Sequence, residues 1–399
     1  MAAPLLALSM CVAEMFGMLS FSTFQALLEP FKGEWALSNT DAGWISGIYF
    51  AGYVASVPFL SSLTDRVDPK RVMLFALVVG GLASLGFAIY ADGFWSAMLF
   101  RCLQGIGLAG TYMPGLKALS DQTERSPRQS RYVAFYTASF GIGAGLSYPL
   151  AGEVTAWLDW RWAFAMTAVG SVIAFLIILT VLPRTRPEAV SHDTHLLDFR
   201  PVLRNRQAMS YILGYAGHNW ELFAFRSWIV AFLVFAADWQ SAGWTALNAT
   251  TLAAVATLLG VPASIFGNEL AVRFGRRRLI LIVTTLSIIT GFVLGFSSGV
   301  SYALAVVLCM VYGVLLTGDS ASLTAGTVSA AAPGQRGATL AMHAFIGFIG
   351  GIFAPPAVGL ALDMFGGRGA VTGWGMAFII CALGSVMAFI AVARQRKGL

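Results

Sequence analysis

The chain has 399 residues, of which 57% are apolar and only 11% charged, against about 25% charged in an average soluble domain. So few charged side chains cannot cover a water-facing surface of that size, which excludes a soluble multidomain protein and makes lipid the surrounding solvent. The net charge of +6 points to no nucleic-acid partner, because the 25 lysines and arginines are spaced as a topology signal rather than gathered in a patch.

Twelve apolar runs are long enough to cross about 30 Å of hydrocarbon, which takes roughly 20 residues each. In chain order they fall at 4–28, 41–62, 72–91, 95–117, 131–156, 160–182, 207–236, 242–268, 279–298, 301–327, 338–364 and 370–394. The predicted fold is all-α, with twelve transmembrane helices in two bundles of six. The longest polar break carries Arg184, Arg186, Arg200, Arg204 and Arg206, so the expected domains are 1–182, a central loop 183–206, and 207–399. The central break, the tail and the loops on the same side hold nineteen basic residues, against three on the other side (Lys32, Arg161 and Arg368). That asymmetry predicts cytoplasmic termini in a plasma (inner) membrane. The first basic residue is Lys32 and the first run outlasts a signal-peptide core, so that run is expected to be a retained span. Cys11, Cys102, Cys309 and Cys381 lie singly in apolar runs and read as small buried hydrophobes.

One offset of 207 residues aligns the two halves at three separate places. SSLTDRVDPKR from Ser61 falls on NELAVRFGRRR from Asn268, pairing Arg66 with Arg273, Lys70 with Arg277 and Arg71 with Arg278. GLSYPLAG falls on IFAPPAVG, pairing Pro149 with Pro356, and Glu14 falls on Glu221 in the first run of each half. Membrane carriers are commonly built from such repeats, with the site at midplane.

With these motifs the whole chain resembles a major facilitator superfamily transporter. The family's loop motif, approximately GxLaDRxGRK, reads SSLTDRVDPK here, with Asp65 and Arg66 in place and Ser61 and Asp68 where the family has glycines. Span 4 carries RCLQGIG, similar to the family's RxxQGxG through Arg101, Gln104, Gly105 and Gly107. YPLAGE followed by DWRWAF is similar to an antiporter pattern, with Tyr148 and Glu153 in place of glycines. The resemblance implies two six-helix halves that alternate access to a central site. It also implies a latch at Asp65, Arg66, Arg71 and Arg273, and sliding or bending of spans 5 and 11 at Gly143, Gly145, Pro149, Gly350 and Pro356.

An ionisable residue deep in a span is costly, so its default reading is functional. Glu14 and Glu221 each lie close to midplane and are the candidates for a proton, cation or substrate site, against the alternative of two separately satisfied structural acids. His218 precedes Glu221 by three residues and is placed near the same helix face, able to share a proton or ligand. Arg226 is a candidate fork for a substrate oxyanion, or the partner of an acid such as Glu14 or Asp319. Arg101, by the resemblance, belongs to proton coupling or to organising buried polar contacts. Asp319 could line the inner vestibule, Gln25, Tyr49, Tyr53, Trp220 and Trp228 are candidate cavity walls, and Lys117 and Glu269 are expected to snorkel.

No phosphate-binding loop, HExxH, GxSxG or soluble domain is present in the sequence, so neither direct use of ATP nor ordinary catalysis is expected. Two glutamates and His218 could take a divalent cation, no methionine or cysteine spacing supports a soft metal, and no cofactor is expected beyond a proton or other ion gradient. The expectation is a proton-coupled secondary transporter of a small organic ion or zwitterion, working as a monomer. A drug-type proton antiporter is the alternative within transport, and a non-transporting sensor or scaffold the alternative outside it.

Overall fold

The computed structural model describes residues 3–185, 199–241, 248–332 and 335–395, and every regular element among them is a helix. Most of the predicted central loop, including Arg186, the first residues predicted for the eighth span, and Arg396 and Lys397 of the tail lie outside the described residues. The chain divides into two compact units, one of residues 1–36 and 48–192, the other of residues 37–47 and 193–399.

The first unit holds α1 (Ala3–Gly17), α2 (Thr23–Ala26), α3 (Leu28–Trp35), most of α4 (Asn39–Leu63), α5 (Pro69–Tyr90), α6 (Phe94–Gln122), α7 (Gln129–Trp157) and α8 (Trp160–Val181). The single span expected over 4–28 is instead three helices, and the break has a physical cause. After Gly17 the ladder tightens to the Leu19–Phe16 and Phe21–Met18 backbone bonds, and the carbonyls of Ser20 and Phe21 are taken by the Arg101 guanidinium from α6. Ser147 of α7 accepts from the Ser22 N–H, and Ser22 Oγ donates to the Ala144 carbonyl. Backbone groups freed inside a membrane must find protein partners, and here three side-chain bonds supply them, two from Arg101 and one to Ser147. At its ends, α5 is capped by Asp68, which accepts from the Lys70 N–H, and α8 by Asp159, which accepts from the N–H groups of Arg161 and Trp162.

The second unit holds α9 (Arg200–Arg204), α10 (Arg206–Trp239), α11 (Ala249–Phe274), α12 (Arg276–Ser297), α13 (Tyr302–Gly318), α14 (Ser320–Ala330), α15 (Arg336–Met364) and α16 (Val371–Ala393), with the first turns of α4. The predicted tenth span is interrupted at Asp319, between α13 and α14. α10 is the most enclosed helix and packs against α14, α15 and α16. Gly217 of α10 and Gly384 of α16 face each other's carbonyl oxygens so closely that neither position has room for a Cβ. Asp363, near the end of α15, caps the start of α4: its carboxylate accepts from the Asn39 N–H and Nδ2, and from the Thr40 N–H and Oγ1, at 2.6–3.1 Å.

The repeat is visible in how two basic side chains are used. Lys70 Nζ donates to the carbonyls of Leu179 and Leu182 at the end of α8, 2.7 and 2.6 Å away. Arg277, its counterpart 207 residues on, donates from Nη2 to the Ala393 carbonyl at 2.9 Å and from Nε to Val392 at 3.4 Å, at the end of α16. Each cation thus satisfies orphan carbonyls at the negative end of a helix. The glycines Gly143 and Gly350 are equivalent in the same way. A Cβ on Gly143 would lie 2.7 Å from Met18 Cβ, and one on Gly350 would lie 2.8 Å from the Trp220 backbone nitrogen. Each lets a helix approach the first span of its own unit.

Among the described residues, nine helical segments are long and apolar enough to cross a membrane: α4, α5, α8, α10, α11, α12, α13 with α14, α15 and α16. α6 and α7 each have 29 residues but carry more polar sequence. Pro149 lies inside α7 and Pro355 and Pro356 inside α15, each within one assigned helix.

Candidate functional site

In the first unit, Glu14 sits on α1 one turn before the break and is 4% exposed. Tyr136 of α7 donates to its Oε2 at 2.9 Å, while Oε1 is buried without a hydrogen-bond partner. A carboxylate with one oxygen left over is a poor resting state for a full negative charge in a low-dielectric interior, and protonation or a ligand would relieve it.

In the same unit stands a polar set built by the RCLQGIG motif. Arg101 is fully buried, with Nη1 donating to the Ser20 carbonyl at 2.9 Å and to Gln104 Oε1 at 2.8 Å, and Nη2 to the Phe21 carbonyl at 3.2 Å. Its guanidinium carbon lies 4.4 Å from the centre of the Tyr49 ring. Gln104 in turn donates to Ser84 of α5 at 3.1 Å. The motif's arginine therefore organises buried polar contacts and holds the break in the first span. Its glycine has a distinct purpose: a Cβ on Gly105 would be driven into the Tyr49 carbonyl oxygen of α4, and one on Gly107 would lie 2.8 Å from Gly80 Cα of α5. Gly105→Ala is accordingly expected to push α4 off α6, lowering stability by about 1–3 kcal/mol, read as a lower unfolding midpoint in detergent.

In the second unit the equivalent acid is treated differently. Glu221 is 2% exposed, and three helices donate hydroxyls to it: Ser287 of α12 at 3.0 Å and Tyr312 of α13 at 2.6 Å to Oε1, and Ser385 of α16 to Oε2. Both oxygens are satisfied by donors, the environment of a settled anion or a well-anchored acid. His218 Nδ1 lies 2.9 Å from Asp319 Oδ1, so the histidine pairs with the acid at the α13–α14 interruption. Tyr215 stacks between His218, 5.5 Å away centre to centre, and His343 of α15, 4.0 Å away. Both ring nitrogens of His343 face hydroxyls, Thr324 at 3.3 Å and Thr327 at 3.2 Å. Arg226 is 9% exposed and lines a narrow cleft with Leu222, Phe225, Thr257, Gly313 and Thr317.

The other candidates divide between packing and the surface. Tyr49 and Tyr53 are buried, as is Gln25, whose Oε1 has no hydrogen-bond partner. Trp220 and Trp228 use their indole N–H groups on the carbonyls of Ile380 and Pro355. Asp65 lies 3.8 Å from Lys117, which also pairs with Asp121 at 3.2 Å, while Arg66, Arg71 and Arg273 are exposed. Tyr136, Tyr312 and His343 were not singled out from the sequence. A signal existed for two of them, since Tyr136 and His343 are separated by the same 207 residues as the two glutamates.

The Major Facilitator Superfamily family model matches residues 10–355 of the sequence. The chain belongs to that superfamily. It is 26% identical over 277 residues to "Protein spinster" of Drosophila melanogaster, an alignment covering 66% of this chain and 45% of that protein. It is also 26% identical over 216 residues to "Probable sphingolipid transporter spinster homolog 2" of Arabidopsis thaliana, covering 49% of this chain and 44% of that one. The chain thus spans somewhat under half the length of these relatives. Among solved structures, a variant of the nucleoside transporter NupG superposes with a TM-score of 0.79 at 16% identity, covering 98% of this chain and 100% of that one. A bacterial homolog of the human lysosomal transporter spinster, inward-facing and unoccupied, superposes with a TM-score of 0.77 at 15% identity, covering 98% and 95%. These two likenesses establish the fold.

Proposed function

We propose that the chain is a secondary active transporter that moves a small organic ion or zwitterion across a membrane by alternating access, coupled to protons. The observation that carries the reading is Glu14: a carboxyl 4% exposed in the first span of a superfamily member, with one oxygen hydrogen-bonded and the other not. Such a group can hold a proton in one conformation and release it, or trade it for substrate, in another. Glu221 is its counterpart in the repeat and is proposed as an anchor of the second bundle, because three hydroxyls already occupy it. The pair His218 and Asp319 supplies a second buried polar centre at a helix interruption.

The relatives' names point to different substrates, sphingolipid in one and nucleoside in another. The substrate class proposed for this chain therefore rests on its own charges. Arg226, whose guanidinium is a planar fork, suits a carboxylate or phosphate group, and Glu14 suits an amine or a proton. The bundles proposed are 1–182 and 207–399, with a cytoplasmic loop 183–206, cytoplasmic termini and a latch at Asp65, Arg66, Arg71 and Arg273. The protein is proposed to act as a monomer in a plasma (inner) membrane.

A thermal-shift screen over amino acids, nucleosides, organic acids and amines, followed by counterflow in proteoliposomes, tests the transport reading. At least one class is expected to stabilise the protein and to exchange. Arg226→Lys is expected to weaken an anionic or zwitterionic substrate by about tenfold or more while leaving a cationic one within about twofold. Equal losses for both classes would assign Arg226 to structure.

A further inference from the structure

We propose that the outer face of α12 and α16 is a binding site for one anionic phospholipid, with its phosphate on Arg278 and an acyl chain along the groove below. The groove is an open cleft of about 660 Å³ lined by Arg277, Arg278, Leu281, Ile282, Leu286 and Phe389. From Arg278 the lining residues Leu281, Ile282, Thr285 and Leu286 follow at three, four, seven and eight positions on, one face of one helix that is apolar except for Thr285, and eight residues of helix run about 12 Å. Arg278 is exposed, as are Ile282 at 48% and Leu286 at 46%.

The charges identify the occupant. Arg276, Arg277 and Arg278 are three consecutive guanidiniums, and the ion pairs Asp65–Lys117, Lys117–Asp121, Glu34–Arg161 and His218–Asp319 involve none of them. Arg276 donates to Ser329 at 3.2 Å and Arg277, which also lines the cleft, donates to the last carbonyls of α16, which leaves Arg278, on the cleft, as the exposed guanidinium of the three. Neutral partners leave the net positive charge uncompensated, and a lipid phosphate compensates it at the depth where such a cluster meets headgroups. An acyl chain covers the apolar stripe that continues from the same residue. A free anion would use only the upper end of the cleft, and a soluble molecule would have no access to the lower.

The test is native mass spectrometry of the full-length protein in detergent, titrated with phosphatidylglycerol or with phosphatidylcholine of the same acyl chains. One phosphatidylglycerol is expected to be retained about fivefold more tightly than phosphatidylcholine, on the scale of one interfacial arginine. Arg278→Gln is expected to erase that preference, and Arg128→Gln, an exposed arginine of the first unit, to leave it intact. The proposal is overturned if Arg278→Gln keeps the preference. It is equally overturned if millimolar inorganic phosphate displaces the lipid, which would make this a simple anion site. Dimers that form without lipid and disappear in Arg278→Gln would assign the face to a second copy of the chain and also overturn it. None of these readouts depends on transport, so the outcome stands apart from the function proposed above.

Discussion

Replacing Arg101 by Lys is expected to lower the stability of the first unit by about 2 kcal/mol or more, as two buried carbonyls and an amide oxygen lose part of their donors. The guanidinium spans the Ser20 and Phe21 carbonyls and Gln104 at once, at 2.8–3.2 Å. A lysine ammonium is a compact point charge on a flexible stem and cannot reproduce that fork. The loss should appear as a lower unfolding midpoint in detergent, together with faster hydrogen exchange at residues 18–22, where the break lies. Gln104→Ala removes one of the three acceptors and should cost less. An Arg101→Lys protein as stable as the parent would show that the break holds itself.

The second large effect is expected at Glu14. Glu14→Gln keeps the size of the side chain and a hydrogen-bond acceptor for Tyr136, but removes the titratable proton. Uptake driven by an imposed pH gradient in proteoliposomes is expected to fall by about tenfold or more, while solute-for-solute exchange, which needs no net proton movement, persists. The contrast with Glu221 is part of the prediction. Glu221→Gln adds an amide donor among three hydroxyl donors, so Glu221→Gln is expected to lower stability first, through Ser287, Tyr312 and Ser385. If the two variants lost gradient-driven uptake equally at unchanged stability, the division of labour between the two acids would be wrong.

Several of these features were legible in the sequence, and the reason lies in the cost of charge in lipid. Glu14, Glu221, Arg101 and Arg226 stand out because an apolar run tolerates so few such residues. The repeat was legible too, and Lys70 and Arg277 closing the ends of α8 and α16 are its counterpart in the fold. What remained hidden depends on partners far away along the chain. The break after Gly17 lies in a continuous apolar run, and its carbonyls are met by a side chain 80 residues later. The acceptors of Lys70 lie 109 and 112 residues on, and the donors to Glu221 lie 66, 91 and 164 residues on. Periodicity has no access to such pairings. His218 illustrates the limit: its spacing suggested Glu221, three residues away, yet its carboxylate partner is Asp319, 101 residues away.

On the function proposed, solute and protons move together through this chain, with Glu14 as the carrier. The most direct measurement is proton flux in proteoliposomes loaded with a pH-sensitive dye, with a solute gradient imposed and no initial pH gradient. A solute-dependent change in internal pH is expected for the parent protein, absent in Glu14→Gln although exchange continues. Solute movement by the parent with no accompanying change in internal pH would contradict it.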